Sequence, residues 1–246
     1  MSLTGLIPFV SIYSTFLQRG YDEVLHDIAR MKSHVIIGID RSGIVGEDGE
    51  THQGIYDLSF LMPIPNMVIG TPKDSTEAGN MLYTAILSKK PFSIRYSKNK
   101  ISYQQQSYKI LPIGSWEEIK KGKDGVIISY GDFLNNAISI SNKLSGKLDI
   151  GVYNARYQKP IDTKKYFEIL STYKNIYIYE ESTMINSLGA YLTLLAKENN
   201  YNNNIKVYAI PDEFVIQGNK KDVIKYLKLD ETSIMNKVLK DIKKSD

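Results

Sequence analysis

At 246 residues, with 31 Lys and Arg against 27 Asp and Glu, the chain carries a formal charge of +4 and is long enough to bury one large core or two ordinary ones. It has no cysteine, which excludes disulfides, thiolate chemistry and a cysteine-type zinc site and suits a reducing cytosol. The basic excess is spread over scattered lysines and five arginines without a nucleic-acid motif, and no apolar run nears the ~20 residues that span a bilayer. The reading is a cytoplasmic protein that binds neither nucleic acid nor membrane.

Strand-like and helix-like stretches alternate, which predicts an α/β fold of two domains, each a mostly parallel sheet with helices on both faces. Ile7–Tyr13 reads as a first strand. Ser14 or Thr15 can cap a helix running to about Met31 with Leu17, Val24, Leu25 and Ile28 on its apolar face. Val35–Asp40 is a second strand, and Ile55–Met62 a short helix ended by Pro63 and Pro65. Met67–Gly70 gives a third strand. Asp74 with Glu77 three residues on resembles a capping box, opening a helix that carries Met81, Leu82, Ala85 and Ile86. Phe92–Tyr96 is a fourth strand.

Periodicity is then lost over residues 97–113, which include Gln104, Gln105 and Gln106. The pattern restarts with strand Val126–Tyr130, helix Phe133–Leu144, strand Asp149–Tyr153 and helix Thr163–Tyr173. Strand Ile176–Tyr179, helix Asn186–Lys197, strand Ile205–Ile210 and two helices between Lys220 and Lys244 follow. The expected division is a partial first domain over residues 4–98, a linker over 99–114 and a complete second domain over 115–246.

The most informative stretch is residues 39–54, Ile-Asp-Arg-Ser-Gly-Ile-Val-Gly-Glu-Asp-Gly-Glu-Thr-His-Gln-Gly, which leaves the second strand through a glycine-rich, charged loop. Ligands of open α/β sheets bind beyond the carboxyl ends of strands, so this loop is a site candidate; from composition alone a solvated acidic turn fits it as well. A calcium loop is excluded because the twelfth position from Asp40 is Thr51 rather than Glu. Neither a dinucleotide-binding nor a P-loop glycine spacing occurs.

In order and identity these residues resemble the signature of the 1-deoxy-D-xylulose-5-phosphate synthase family, thiamin-diphosphate enzymes of the transketolase superfamily. The resemblance begins at residues 12–22, Ile-Tyr-Ser-Thr-Phe-Leu-Gln-Arg-Gly-Tyr-Asp. It continues through Phe60-Leu61, residues 64–69, Thr71-Pro72, Asp74, residues 81–84 and Arg95-Tyr96, and more weakly through Lys159-Pro160-Ile161-Asp162, Glu180-Glu181 and Pro211-Asp212.

The resemblance implies a partial pyrimidine-binding domain followed by a transketolase C-terminal domain. Phe16 would stack on the cofactor's aminopyrimidine; Tyr13, Arg19 and Arg41 would bind substrate; Asp48 and His52 would be catalytic. Where the family reads Pro-Arg-Gly after Arg95-Tyr96, this chain has Ser97-Lys98-Asn99, so Lys98 would take the phosphate-binding position with charge but without a planar fork. The family's substrates are pyruvate and glyceraldehyde 3-phosphate, its cofactors thiamin diphosphate and Mg²⁺, and its assembly a homodimer.

The diphosphate- and metal-binding part, and a glutamate that activates the pyrimidine, lie in the family ahead of the position of Gly5. The chain therefore reads as the C-terminal part of a longer enzyme, an engineered or cleaved piece rather than a natural subunit. Alone it is expected to bind no cofactor and to be inactive. The alternatives are another superfamily enzyme (a transketolase or a 2-oxo-acid dehydrogenase β subunit) or a non-catalytic dimerisation module.

Overall fold

The computed structural model describes residues 1–99 and 107–243. The glutamines of the expected linker and the end of the last expected helix, at Lys244, lie outside the described residues. The strands are β1 (Phe9–Tyr13), β2 (Ile36–Asp40), β3 (Val68–Gly70), β4 (Phe92–Arg95), β5 (Glu117–Lys120), β6 (Gly125–Ser129), β7 (Ile150–Asn154), β8 (Tyr157–Lys159), β9 (Asn175–Thr183) and β10 (Asn204–Ile210). They form two five-stranded sheets, ordered β1-β2-β4-β3-β8 and β10-β9-β6-β7-β5. All pairings are parallel except the outermost one in each sheet, β3 with β8 and β5 with β7.

Both faces of each sheet are covered, and alternation along the strands sorts the side chains. Ile36 and Phe92 face one core with Met81 and Ala85 of the helix Ser75–Ser88. Ile37, Ile39 and Ile69 face a second core. In the other sheet Ile127 and Val152 pack under the helices Asp132–Leu144 and Glu231–Lys243. Val126 and Ile128 belong to the same core as Ile37 and Ile39, so one hydrophobic layer runs between the two sheets. Each such isoleucine or valine, fully buried, contributes ~1.5–3 kcal/mol.

Four features depart from the sequence reading. The expected helix 14–31 is a succession of turns: α over Ser14–Leu17, 3₁₀ over Gln18–Gly20, α over Tyr21–Glu23 and π over Val24–Arg30. Neither expected cap forms. The Ser14 hydroxyl is buried without a partner, and the Thr15 hydroxyl donates instead to the Thr51 carbonyl at 2.7 Å. Two short antiparallel edge strands, β5 and β8, were not expected at all. Strand β8 comes from the chain's second half yet completes the first sheet, with Gly70 opposite Tyr157.

Candidate functional site

Strands β1 and β2 run parallel with Tyr13 opposite Asp40, so both end at the same edge and release their next residues side by side. Past β2 the chain turns at once through Arg41, whose φ of 58° lies in the left-handed region. A non-glycine residue held there stores strain that the surrounding structure must over-determine. The loop is closed by a pair of backbone hydrogen bonds between Gly43 and Gly54, at 2.6 and 2.8 Å. Only glycine fits at position 54, because a Cβ would lie 2.0 Å from the Arg41 carbonyl oxygen.

Six of the seven residues singled out in the sequence join in one continuous chain of contacts. The His52 ring meets Phe16 edge-on at 5.4 Å, and Phe16 stacks on Tyr13 at 5.7 Å with 13° between the rings. The Arg41 guanidinium lies 4.3 Å over the Tyr13 ring. Arg41 also donates to Asp48, whose other oxygen accepts from the Lys98 ammonium at 2.8 Å. Arg19 is the exception. It is exposed on the turn Gln18–Gly20 and makes no hydrogen bond or ion pair among the described residues.

The charges of this chain are mutually tuned. The hydrogen bond from Lys98, joined by that from Arg41, holds the Asp48 carboxyl below the usual carboxylate range despite partial burial. Slight burial works against the Arg41 charge, and Asp48 outweighs it, raising the guanidinium's pKa. Two cations share one carboxylate, which leaves a single positive charge beside Tyr13, and the next ring along, Phe16, is 43% exposed. Such an arrangement can hold an anionic group against Arg41 and Lys98 while a flat heterocycle lies on Phe16. The His52 ring nitrogen Nδ1 pairs with the Thr51 hydroxyl at 2.9 Å, so Nε2 is the ring nitrogen outside that bond.

The cluster does not line the cleft of about 510 Å³ that opens next to it between the two sheets. That cleft begins at Ser42 and Gly43, passes Tyr96 and Ser97, and is closed from the other sheet by Tyr130, Asp132 and Glu181. The chemistry of the cluster weighs more than the cleft, because the cleft's Lys73, Arg95, Asp132 and Glu181 are already paired. At its floor Arg95 grips Asp57 through two hydrogen bonds of 2.6 and 2.9 Å, with both side chains almost wholly buried. Burial opposes the Arg95 charge, and Asp57 more than restores it.

Among the described residues two buried polar atoms near the loop lack partners, Ser14 Oγ and Gln53 Nε2. Among the described residues no group of three or more His, Asp or Glu side chains is placed to hold a metal ion. Sequence reasoning missed Asp57 and passed over Arg95 as a mere part of the resemblance. The scarcity of arginine in a lysine-rich chain, five in 246 residues, is a signal that would have found Arg95. Sequence reasoning gave Glu181 only as part of the weaker resemblance and missed Lys220 and Gln217, which help hold the loop from the second half of the chain, for want of any local signal.

The family model "Transketolase, pyrimidine binding domain" matches residues 1–104, and "Transketolase, C-terminal domain" matches residues 114–234. The chain belongs to the transketolase family. Within it, the chain is 40% identical over 97% of its length to the 1-deoxy-D-xylulose-5-phosphate synthase of Listeria monocytogenes serotype 4b and 38% identical to that of Bacillus cereus. It spans about 40% of the length of these curated relatives. In structure it is similar to a chain described as a split gene transketolase, inactive β4 tetramer (TM-score 0.86, 22% identity, covering 98% of this chain and 78% of that one). It is also similar to the transketolase from Campylobacter jejuni (TM-score 0.75, 20% identity, covering 95% and 35%). At those identities the two likenesses establish the transketolase-type α/β fold.

Proposed function

We propose that the chain supplies the pyrimidine side of a thiamin-diphosphate site, and the C-terminal domain, of an enzyme of the 1-deoxy-D-xylulose-5-phosphate synthase type. That enzyme would join pyruvate to glyceraldehyde 3-phosphate with loss of CO₂, making a precursor for isoprenoids, thiamin and pyridoxal. The working form would be a cytoplasmic homodimer of the whole enzyme. The reading rests on one observation: the contact chain His52–Phe16–Tyr13–Arg41–Asp48–Lys98 lies in residues where the chain is similar to those synthases.

The residues present fit one half of the cofactor. Phe16 offers an open aromatic face, and the unpartnered Ser14 and Gln53 atoms could take a polar heterocycle's hydrogen bonds. Diphosphate and Mg²⁺ would be held by residues outside this chain. When bound, thiamin diphosphate supplies the carbanion and electron-sink chemistry. The chain's own side chains orient and neutralise. Arg41 and Lys98 would grip the aldehyde's phosphate, with Asp48 bridging them until it arrives. His52 would take or give a proton at Nε2 near the reacting carbon, and Tyr13 would pack against the substrate. Arg19 would guide anions in from the surface. Within this reading residues 4–98 are the pyrimidine-binding part, 99–114 the link and 115–246 the C-terminal domain.

Complementation tests the reading. The chain alone should show no thiamin-diphosphate-dependent loss of CO₂ from pyruvate. Supplied with the amino-terminal part of a related synthase, it should gain turnover that requires glyceraldehyde 3-phosphate. In that complex Phe16→Ala should weaken cofactor binding by roughly ten-fold, the equivalent of a lost ring stack of about 1.5 kcal/mol. Lys98→Ala should instead raise the KM for the phosphorylated substrate. Equal effects of both variants on both ligands would sink the division of the site.

A further inference from the structure

We propose that Lys220, Glu181 and Gln217, all from the second half of the chain, are positioning residues that set the spacing of Arg41, Asp48 and Lys98; the inference rests on the anion-site reading above. Glu181 and Gln217 bond the backbone between Arg41 and Asp48, Lys220 bonds Glu181, and none of the three bonds a site side chain. The amide of Ile44 donates to Glu181 Oε1 at 2.9 Å, and the Lys220 ammonium holds that same oxygen at 2.8 Å. Gln217 Nε2 donates to the Glu47 carbonyl at 3.0 Å, and the Gly218 amide to the Gly46 carbonyl at 3.3 Å. The approach is as close as backbone allows: a Cβ on Gly46 would lie 2.7 Å from the Gly218 carbonyl oxygen.

The same lysine reaches the other arm of the site. Its ammonium lies 3.2 Å from Asp132 Oδ2, and that oxygen accepts from the Asn99 side chain at 2.6 Å, one residue beyond Lys98. Lys220 thus ties together the loop that carries Arg41 and Asp48 and the segment that carries Lys98. Burial works against its charge, and Glu181 with Asp132 more than compensates, so the ammonium stays charged through neutral pH. The need for a second anchor follows from the chemistry of the cluster. While Asp48 bridges the two cations, it fixes their separation. A phosphate that takes over Arg41 and Lys98 releases that bridge, and only contacts outside the cluster then hold the cations at phosphate spacing.

Hydrogen exchange by mass spectrometry on this same chain tests the inference without any catalytic assay. In Lys220→Met, peptides covering residues 43–49 and 96–99 should exchange about ten-fold faster, while peptides of β6 and β9 keep their wild-type protection. Lys220→Arg should restore the loop. Gln217→Ala, which alters an exposed side chain and spares the core, should accelerate residues 46–49 alone. Binding of inorganic phosphate, measured in parallel, should weaken several-fold in Lys220→Met although residue 220 does not touch the anion. Unchanged loop exchange in both variants overturns the inference, and so does acceleration spread evenly over β6 and β9. If wild-type chain takes up no phosphate while its loop still responds to Lys220→Met, the clamp stands and the anion-site reading falls.

Discussion

At the scale of single residues the largest energetic commitment is the Arg95–Asp57 pair, because both partners are almost wholly buried and bonded through two nitrogens. Removing one partner strands the other's charge in the core. Asp57→Ala should therefore cost about 3–5 kcal/mol in denaturant unfolding, whereas the apolar double replacement Arg95→Met with Asp57→Leu should be nearly neutral. A single variant no worse than the double would show that water reaches the pair. The six contiguous candidate residues were legible in the sequence for a simple reason: five of them come from two short segments at or just past strand ends, where order and identity carry the resemblance. Glu181 and Gln217 were not, since each meets its loop partner across 137 and 170 residues of chain. Nothing local to Gln217 or to the lysines at 220 and 221 marks them as part of a site.

At the scale of elements, the reading succeeded where the backbone's own chemistry decides and failed where packing does. Asp74 accepts from the Glu77 amide at 2.7 Å, and Glu77 in turn accepts from the Lys73 amide at 2.7 Å, so the box predicted at 74–77 forms, shifted by one residue at its return bond. Loss of the cap in Asp74→Ala should destabilise the helix Ser75–Ser88 by ~1 kcal/mol, seen as faster exchange in its first turn and a lower unfolding midpoint. No change in either would mean that the turn at 71–73 holds the helix start unaided. The segment 14–30 went the other way. Leu17, Val24 and Ala29 are buried as an apolar helix face requires, but Gly20 and the pull of Thr15 toward Thr51 break the regular ladder. Strand β8 was invisible because three residues between Asn154 and Pro160 carry no alternation to read.

At the scale of the molecule, the chain carries the two expected domain types, a pyrimidine-binding and a C-terminal one, and their sheets share structure in two ways. Strand β8 crosses into the first sheet, and a single apolar layer contains Ile37 and Ile39 on one side and Val126, Ile128 and Ile178 on the other. The lone tryptophan stands at that junction. Trp116 is buried, packs on Tyr166 at 6.2 Å and donates its indole nitrogen to the carbonyl of Tyr157 in β8 at 2.9 Å. Its fluorescence therefore reports the joint between the sheets, while far-UV circular dichroism reports both sheets together. A layer that neither sheet can bury alone makes unfolding of one expose the face of the other. The two probes should then give coincident denaturant transitions with one midpoint, as all-or-none unfolding requires. A tryptophan transition that precedes the loss of circular dichroism would show the sheets parting first and unfolding later, and the shared layer would then be an interface between two independent cores.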